Sequence, residues 1–420
     1  MAREAGDEAV RAQYDAYPYP ERDPADETRR LVVGSPSHLA EVNHYVFAGR
    51  LDLARPLRVL VAGGGTGDAA IMLAQQLAWA HSPAEVVYLD VSRAARKLAE
   101  ARAAARGLAN IRFVEGSLLD LAALAAGPYD YIDCCGVLHH LADPGAGLAT
   151  LADALADDGG IGLMLYGAFG RTGVYHAQAM LRLIAGADAR ENLALARRLC
   201  AELPESNWLR RNPFVADHIE GGDAGLYDLL LHTRDRAYTV PELAALVAGA
   251  GLAVTGFIEP ALYDPANQLS DPELKARVTA LPWLERCAFA ELLAGSLKRH
   301  VFYAVKTARA EEAVARPDGP KAVPVLREAD GPAMARKLKR GGRIRAELEG
   351  IKLAYDLPPL AGAILALVDG RRSLGDIHRE IARHRPGARD WLAFKAAFDK
   401  LYAALNAINV MLIAQPARRA

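Results

Sequence analysis

The sequence predicts an α/β chain: a doubly wound, mostly parallel sheet of seven strands, followed by a small, mainly α domain. Three observations carry this. Apolar runs of strand length alternate with helical patterns from Leu57 to Tyr166, as a parallel sheet covered on both faces requires. The first run opens directly into glycines at Gly63, Gly65 and Gly67, with a helical pattern behind them. The chain of 420 residues is also longer than one hydrophobic core supports, so more than one domain is expected.

Residues 1–56 are expected to form an N-terminal helical arm or lid. Glu4–Tyr14 suits a short helix, and Pro18, Pro20 and Pro24 then force an extended stretch. Tyr14, Tyr17 and Tyr19 on this arm either cover an active-site mouth or only pack on the core. Ser35–Phe47 suits a further helix with Ser37 as N-cap and Glu41 in its first turn. The cofactor-binding core spans 57–166. Its strands are RVLVAG, EVVYLD, IRFVEG, YDYIDCCGVL and GGIGLMLY. Helices lie between them: Ile71, Ala74 and Leu77 face the sheet, Gly107 stops the helix Ser92–Arg106, and Pro144 opens the next. Residues 167–307 continue as an insertion that completes the sheet. Val174–Ile184 and Arg190–Leu203 suit helices, Thr239 and Glu242 form a capping box, and LAVTGFIEP and HVFYAVK supply the last two strands. RPDGP marks a linker over 308–325. Residues 326–420 suit a small winged-helix-like block.

Net charge is −1 over the whole chain, so it carries no general signature of nucleic-acid binding. Residues 326–420, however, hold 18 Lys and Arg against 10 Asp and Glu, densest at Lys337, Lys339, Arg340, Arg343 and Arg345. Such a cluster serves a peptide or RNA partner, or is simply a solvated loop. None of the four cysteines has metal-ligand spacing, and reduced thiols fit a cytoplasmic protein. The polar start MAREAGDEAVRAQYD suggests no signal peptide, and no apolar run suggests a membrane span.

Glycines where a strand turns sharply let a ligand approach the backbone, beside a helix end with unpaired N–H groups. The spacing discriminates among nucleotides. A dinucleotide turn carries glycine at its first, third and sixth places, and here the sixth place is Asp68. A carboxylate there repels a pyrophosphate. A ligand with a ribose and no phosphate suits the turn better, with Asp90 placed to accept from its hydroxyls. Taken in order, VLVAGGGTG, VVYLD, NIRFVEGSLLDL and YDYIDCCGVLHHLADP resemble the motifs of the class I S-adenosylmethionine-dependent methyltransferases. The resemblance covers about 57–166 and implies a Rossmann-like sheet with S-adenosyl-L-methionine as cofactor. It also implies that Gly63, Gly65, Gly67 and Asp68 surround the methionine part, that Asp90 holds the ribose, and that Ser117 and Leu118 stand near the adenine. Gly136 and His139 would border cofactor and acceptor. Two positions depart from the family pattern: Val61 stands where an acid is frequent, and Ser117 where Asp is common.

Methyl transfer from a sulfonium needs alignment and exclusion of water more than a catalytic triad. A base helps when the acceptor is protonated, and His139 and Tyr166 are the candidates at the strand ends. His139 has an equal alternative as a histidine satisfied by backbone. The acceptor site is expected within 167–307, with Arg171, Tyr175 and His232, and with Tyr17 and Tyr19 from the arm; a salt-bridged surface cap is the alternative. No metal ligand set is expected at HHLADP, whereas Asp217, His218, Asp223 and His232 form a weaker candidate. The acidic main body favours a small-molecule acceptor. The alternatives are a peptide, protein or RNA delivered by 326–420, and a module that binds the cofactor without transfer.

Overall fold

The computed structural model describes residues 2–338, 342–385 and 389–416. Seven strands form one sheet: β1 (Arg58–Ala62), β2 (Glu85–Asp90), β3 (Ile111–Glu115), β4 (Tyr129–Cys135), β5 (Leu155–Tyr166), β6 (Leu252–Phe257) and β7 (Arg299–Lys306). Their order is β3-β2-β1-β4-β5-β7-β6. The pairs β3–β2, β2–β1, β1–β4 and β4–β5 are parallel. The inner strands are buried along nearly their whole length, with Leu60, Val87, Leu89 and Ile132 at 0% exposure, because helices cover both faces. The chain runs outward from β1 through β2 to β3 and then returns to the far side of β1 as β4. That reversal opens a crevice beyond the carboxyl ends of β1 and β4, where sheets of this kind bind ligands.

The helices begin where the side chains prescribe. Ser92 caps Arg93–Ala105, Asp143 caps Pro144–Asp153, and Thr239 and Glu242 close a reciprocal capping box on Val240–Gly249. Ser37 departs from expectation. The helix starts only at Leu39, and the Ser37 hydroxyl donates instead to the buried Asp133 carboxylate at 2.7 Å.

The chain divides into two compact units, with boundaries inside β6 and β7. The first comprises Met1–His38, Leu53–Ala253 and Gly295–Val301. It holds most of the sheet and a helical cluster over 174–231, whose core includes Val174, Leu181, Ala196, Leu209 and Leu226. The second comprises Leu39–Asp52, Val254–Ala294 and Phe302–Ala420. Its core gathers Ile364, Leu365, Phe394, Phe398, Leu401 and Met411. Within it Glu41, fully buried, accepts from Arg327 at 2.9 Å, Asn409 at 2.7 Å and Tyr303 at 2.9 Å.

The second unit also contains strands, three of which the sequence reading passed over. β8 (Val323–Leu326) starts within the span read as linker and pairs with β11 (Met411–Ala414); β9 (Arg343–Leu348) and β10 (Ile351–Asp356) form a hairpin across Glu349 and Gly350. Alternating charge made β9 resemble a basic loop. Half its positions face solvent, as a one-sided strand requires. Arg343 pairs with Asp356 across the hairpin at 2.6 Å, while Lys339 and Arg340 lie outside the described residues. Among the described residues no helix is long and apolar enough to cross a membrane.

Candidate active site

The glycine turn after β1 has the conformation that its residues permit. Gly63, Gly65 and Gly67 all have positive φ, at 76°, 50° and 104°, where a Cβ is strained. Space enforces the same choice, since a Cβ on Gly63 would stand 2.2 Å from Val137 and one on Gly67 2.8 Å from Ala99. Asp90, at the end of β2, accepts the Gly65 N–H on one oxygen and the Ser92 N–H on the other, both at 2.7 Å. Burial raises its pKa, against those backbone donors. A carboxylate has about four acceptor positions, so Asp90 keeps capacity for two further donors, which is what a ribose diol offers. With the bare backbone of the turn beside it, the site fits S-adenosylmethionine.

Asp68 has another occupation. Arg22 clasps it through Nε at 3.0 Å and Nη2 at 2.7 Å, and Arg102 reaches it at 2.7 Å. Burial works to raise its pKa, but the two guanidiniums prevail and leave it lowered. Arg102 also bonds the Thr66 carbonyl and the buried Glu27, which Arg106 joins. The Thr66 hydroxyl donates to the Pro20 carbonyl at 2.8 Å. Asp68 therefore fastens the segment Tyr19–Glu27 across the glycine turn. Ser117 spends its hydroxyl on the Leu119 N–H, Leu118 is buried, and Gly136 turns the chain after β4 with φ 78°.

The first helix, Ala2–Ala16, carries Tyr14 from the cofactor side to a second group of residues. Its end is held by Ser92, whose hydroxyl lies 2.8 Å from the Asp15 carboxylate and 3.1 Å from the Tyr14 carbonyl, its one proton serving these two acceptors. The Tyr14 phenol donates to Asp228 Oδ1 and the Tyr166 phenol to Asp228 Oδ2, each at 3.1 Å. Burial, and then the carboxylate itself, hold both phenols protonated. Burial also raises the Asp228 pKa, while His140 and the two phenols oppose it. His139 stacks on the Tyr166 ring at 3.9 Å. It is 1% exposed and neither ring nitrogen has a hydrogen-bond partner. Burial, with His140 and Arg171 nearby, keeps its pKa well below the usual imidazole range, so the ring is neutral.

Arg171 lies 3.7 Å above the Tyr166 ring and is neutralised by Asp235 at 2.6 Å; Gln178 donates to the same carboxylate, and Tyr175 contacts both members of the pair. His232 stacks on His140 at 3.9 Å and meets the Tyr14 phenol at 3.3 Å. Thus Arg171, Tyr175, His232, His139 and Tyr166 come together. Tyr17 instead stacks on Tyr227 in the helical cluster, and Tyr19 lays its carbonyl over Gly65, 3.1 Å from where a Cβ would stand.

His140, Asp228 and His232 place possible ligand atoms within 4.8 Å of one another. The hydrogen bonds contradict a metal. The Arg234 N–H donates to His232 Nδ1 at 3.0 Å, so the ring proton sits on Nε2, the atom that would have to bind. Asp223 is engaged by Arg197, and among the described residues Asp217, His218 and Asp223 do not gather with His232. The sequence reading missed Asp228, although LYDLLLH carries a trace of it: an acid inside an apolar helix, four residues before His232 and on the same face. Arg22 and Glu27 had no such trace.

A family described as a methyltransferase domain matches residues 60–161. An uncharacterized protein of Synechococcus sp. is 33% identical over 308 residues, covering 70% of this chain and 71% of its own. The tRNA 5-carboxymethoxyuridine methyltransferase of Escherichia coli is 36% identical over 115 residues, 27% of this chain and 42% of its own. The structure of PKMT2 from Rickettsia typhi in complex with AdoHcy shares the fold, with a TM-score of 0.64 at 16% identity over 91% of this chain and 76% of that one. A turn stripped of side chains, a ribose-ready acid at the end of β2 and a matching domain around both make this chain a member of the class I S-adenosylmethionine-dependent methyltransferases.

Proposed function

We propose that the chain transfers the methyl group of S-adenosylmethionine, in line, to an O, N or C nucleophile of a small-molecule acceptor. One observation carries the reading: the helix Ala2–Ala16 spans from Ser92, beside Asp90, to Asp228, so Tyr14 roofs both the donor side and a buried polar group. A polar group buried beneath the protein's own helix suits a small acceptor better than a macromolecule. When bound, the cofactor supplies a methyl on a sulfonium, whose thioether is a good leaving group. Asp90 accepts from the ribose hydroxyls and the glycine turn lies under the methionine part. The backbone at Ser117 and Leu118 borders the adenine. Tyr166 and His139 form the acceptor wall, and the arm from Tyr14 to Glu27 excludes water, which strengthens every polar contact inside.

The test uses S-adenosylmethionine labelled in its methyl group and a cell extract divided into small-molecule, protein and RNA fractions. Label in the small-molecule fraction is expected; label confined to protein or RNA would overturn the choice of acceptor. The tRNA-modifying relative favours a second reading, in which the acceptor is RNA and the exposed Arg345 and Lys352 bind its phosphates. Arg345→Glu with Lys352→Glu would then abolish transfer, whereas transfer to a small acceptor continues unchanged. Excising 326–420 is a poor alternative, because it removes Arg327 and Asn409 from the buried Glu41.

A further inference from the structure

The polarity of the hydrogen bonds around Asp228 narrows the acceptor, given the transferase reading above. The two phenols, His140 and His232 have already committed a proton. The Tyr14 and Tyr166 phenols donate to the two Asp228 oxygens, which leaves their own oxygen lone pairs facing inward. His140 Nδ1 donates to the Arg234 carbonyl at 2.7 Å. His232 directs Nε2–H at the Tyr14 oxygen. His139 is neutral, buried and without a partner at either nitrogen. Asp228 itself has an acceptor position left on each oxygen. Apart from the one N–H of His139, the spare capacity of the phenols and Asp228 is acceptor capacity.

A ligand that satisfies such a site is a donor. A carboxylate or phosphate brings only lone pairs, and a hydroxyl brings a single proton. An alkylammonium brings three donors and a positive charge. The charge matches Asp228, whose burial needs compensation, and the ring faces of Tyr166 and His139 accommodate a cation. Arg171, the nearest fixed cation, is neutralised by Asp235.

We propose that the acceptor is a small amine, held as its ammonium on Asp228, which takes one proton from the nitrogen before transfer. The freed lone pair forms the new N–C bond while the methyl–sulfur bond breaks and leaves its electron pair on sulfur. The products are a methylated ammonium and S-adenosylhomocysteine, and the proton on Asp228 passes to solvent at turnover. Tyr14 and Tyr166 fix the carboxyl group, and His232 holds Tyr14.

The test applies the fractionated extract to the full chain and identifies the methylated atom by mass spectrometry. The expected result is N-methyl label in the small-molecule fraction, with kcat/KM falling as pH drops and the carboxylate is protonated. Asp228→Asn should lower kcat/KM about 100-fold or more while the calorimetric Kd for S-adenosylmethionine stays within about twofold, and Asp228→Glu should recover part of the rate. Should Asp228→Asn not fold, Tyr166→Phe removes one donor to the carboxylate, and the acidic limb of the pH profile should move upward. Label on oxygen or carbon overturns the amine and leaves the transferase reading standing. N-methyl label in the protein fraction retains the amine chemistry and overturns the small acceptor. Absence of label in every fraction overturns the transferase reading itself. An unaltered rate in Asp228→Asn, or an unmoved pH profile in Tyr166→Phe, removes Asp228 from the reaction.

Discussion

Asp90 is half-buried and Asp133 fully buried, and their surroundings give the two acids opposite tasks. Asp90 takes one backbone N–H on each oxygen and retains room for two more donors. Asp90→Ala should weaken S-adenosylmethionine about 10- to 100-fold, the loss expected for bonds to a charged group; tight binding by the variant in calorimetry would refute the ribose contact. Hydroxyl donors favour the ionised form. Binding should therefore weaken as pH falls through the Asp90 pKa and release protons there, which titrations in buffers of different ionisation enthalpy will reveal. Asp133 sits beside Val61 in the β1–β4 register and has only Ser37 on one oxygen, the other being unpartnered. Burial pushes its pKa up to about 7, against that single bond. The folded state thus holds the proton more tightly than the unfolded chain, whose Asp titrates near ~3.9. Stability from this group is complete below about pH 4 and declines as pH rises to about 7, by at most about 1.4 kcal/mol per pH unit. Urea midpoints at several pH values should show this slope, and Asp133→Asn should lack it.

At the scale of elements, the N-terminal arm is the part that determines access. Asp68 grips it through Arg22, while Arg102 and Arg106 grip it through Glu27, and Thr66 and Ser92 hold its backbone. Arg22→Ala should cost under about 1 kcal/mol, because that pair is partly exposed. Amide exchange over Tyr14–Thr28 should nonetheless accelerate clearly; exchange at the original rate would show that the grip lies elsewhere. The sequence made some of this site readable and concealed the rest, for one physical reason. Gly63, Gly65, Gly67 and Asp90 belong to a strand–turn–helix–strand run whose chemistry is local, so spacing alone reveals it. The Asp228 group draws on Tyr14, His139, Tyr166, Arg171 and His232, which only the finished fold brings together. Asp68 shows the same limit. Its position in the turn suggested a cofactor contact, and the arm claims it instead.

For the whole molecule, Glu41 has the largest stake. It is fully buried, and its carboxylate is answered by Arg327, Asn409 and Tyr303. Glu41→Ala takes the carboxylate from a part-buried guanidinium and a buried amide and should cost about 3 kcal/mol, visible as a lowered thermal midpoint. Arg327→Met with Glu41→Leu should recover much of the loss, since apolar replacement of both members removes the unpaired charge. The alternating sheet was legible at this scale because each strand announces itself. The second unit was not, because its pieces lie at 39–52, 254–294 and 302–420 and no window of sequence contains them together. That dispersal has a consequence in time. A ribosome releases residue 41 long before residue 409, so during synthesis Glu41 stays in water and the second unit waits unfinished for its last strand. A premature stop, even one that spares every residue of the cofactor site, would leave an early segment with a charge it cannot bury. Lesions that remove Asn409 should therefore resemble failures of folding, and quality control should meet them before any substrate does.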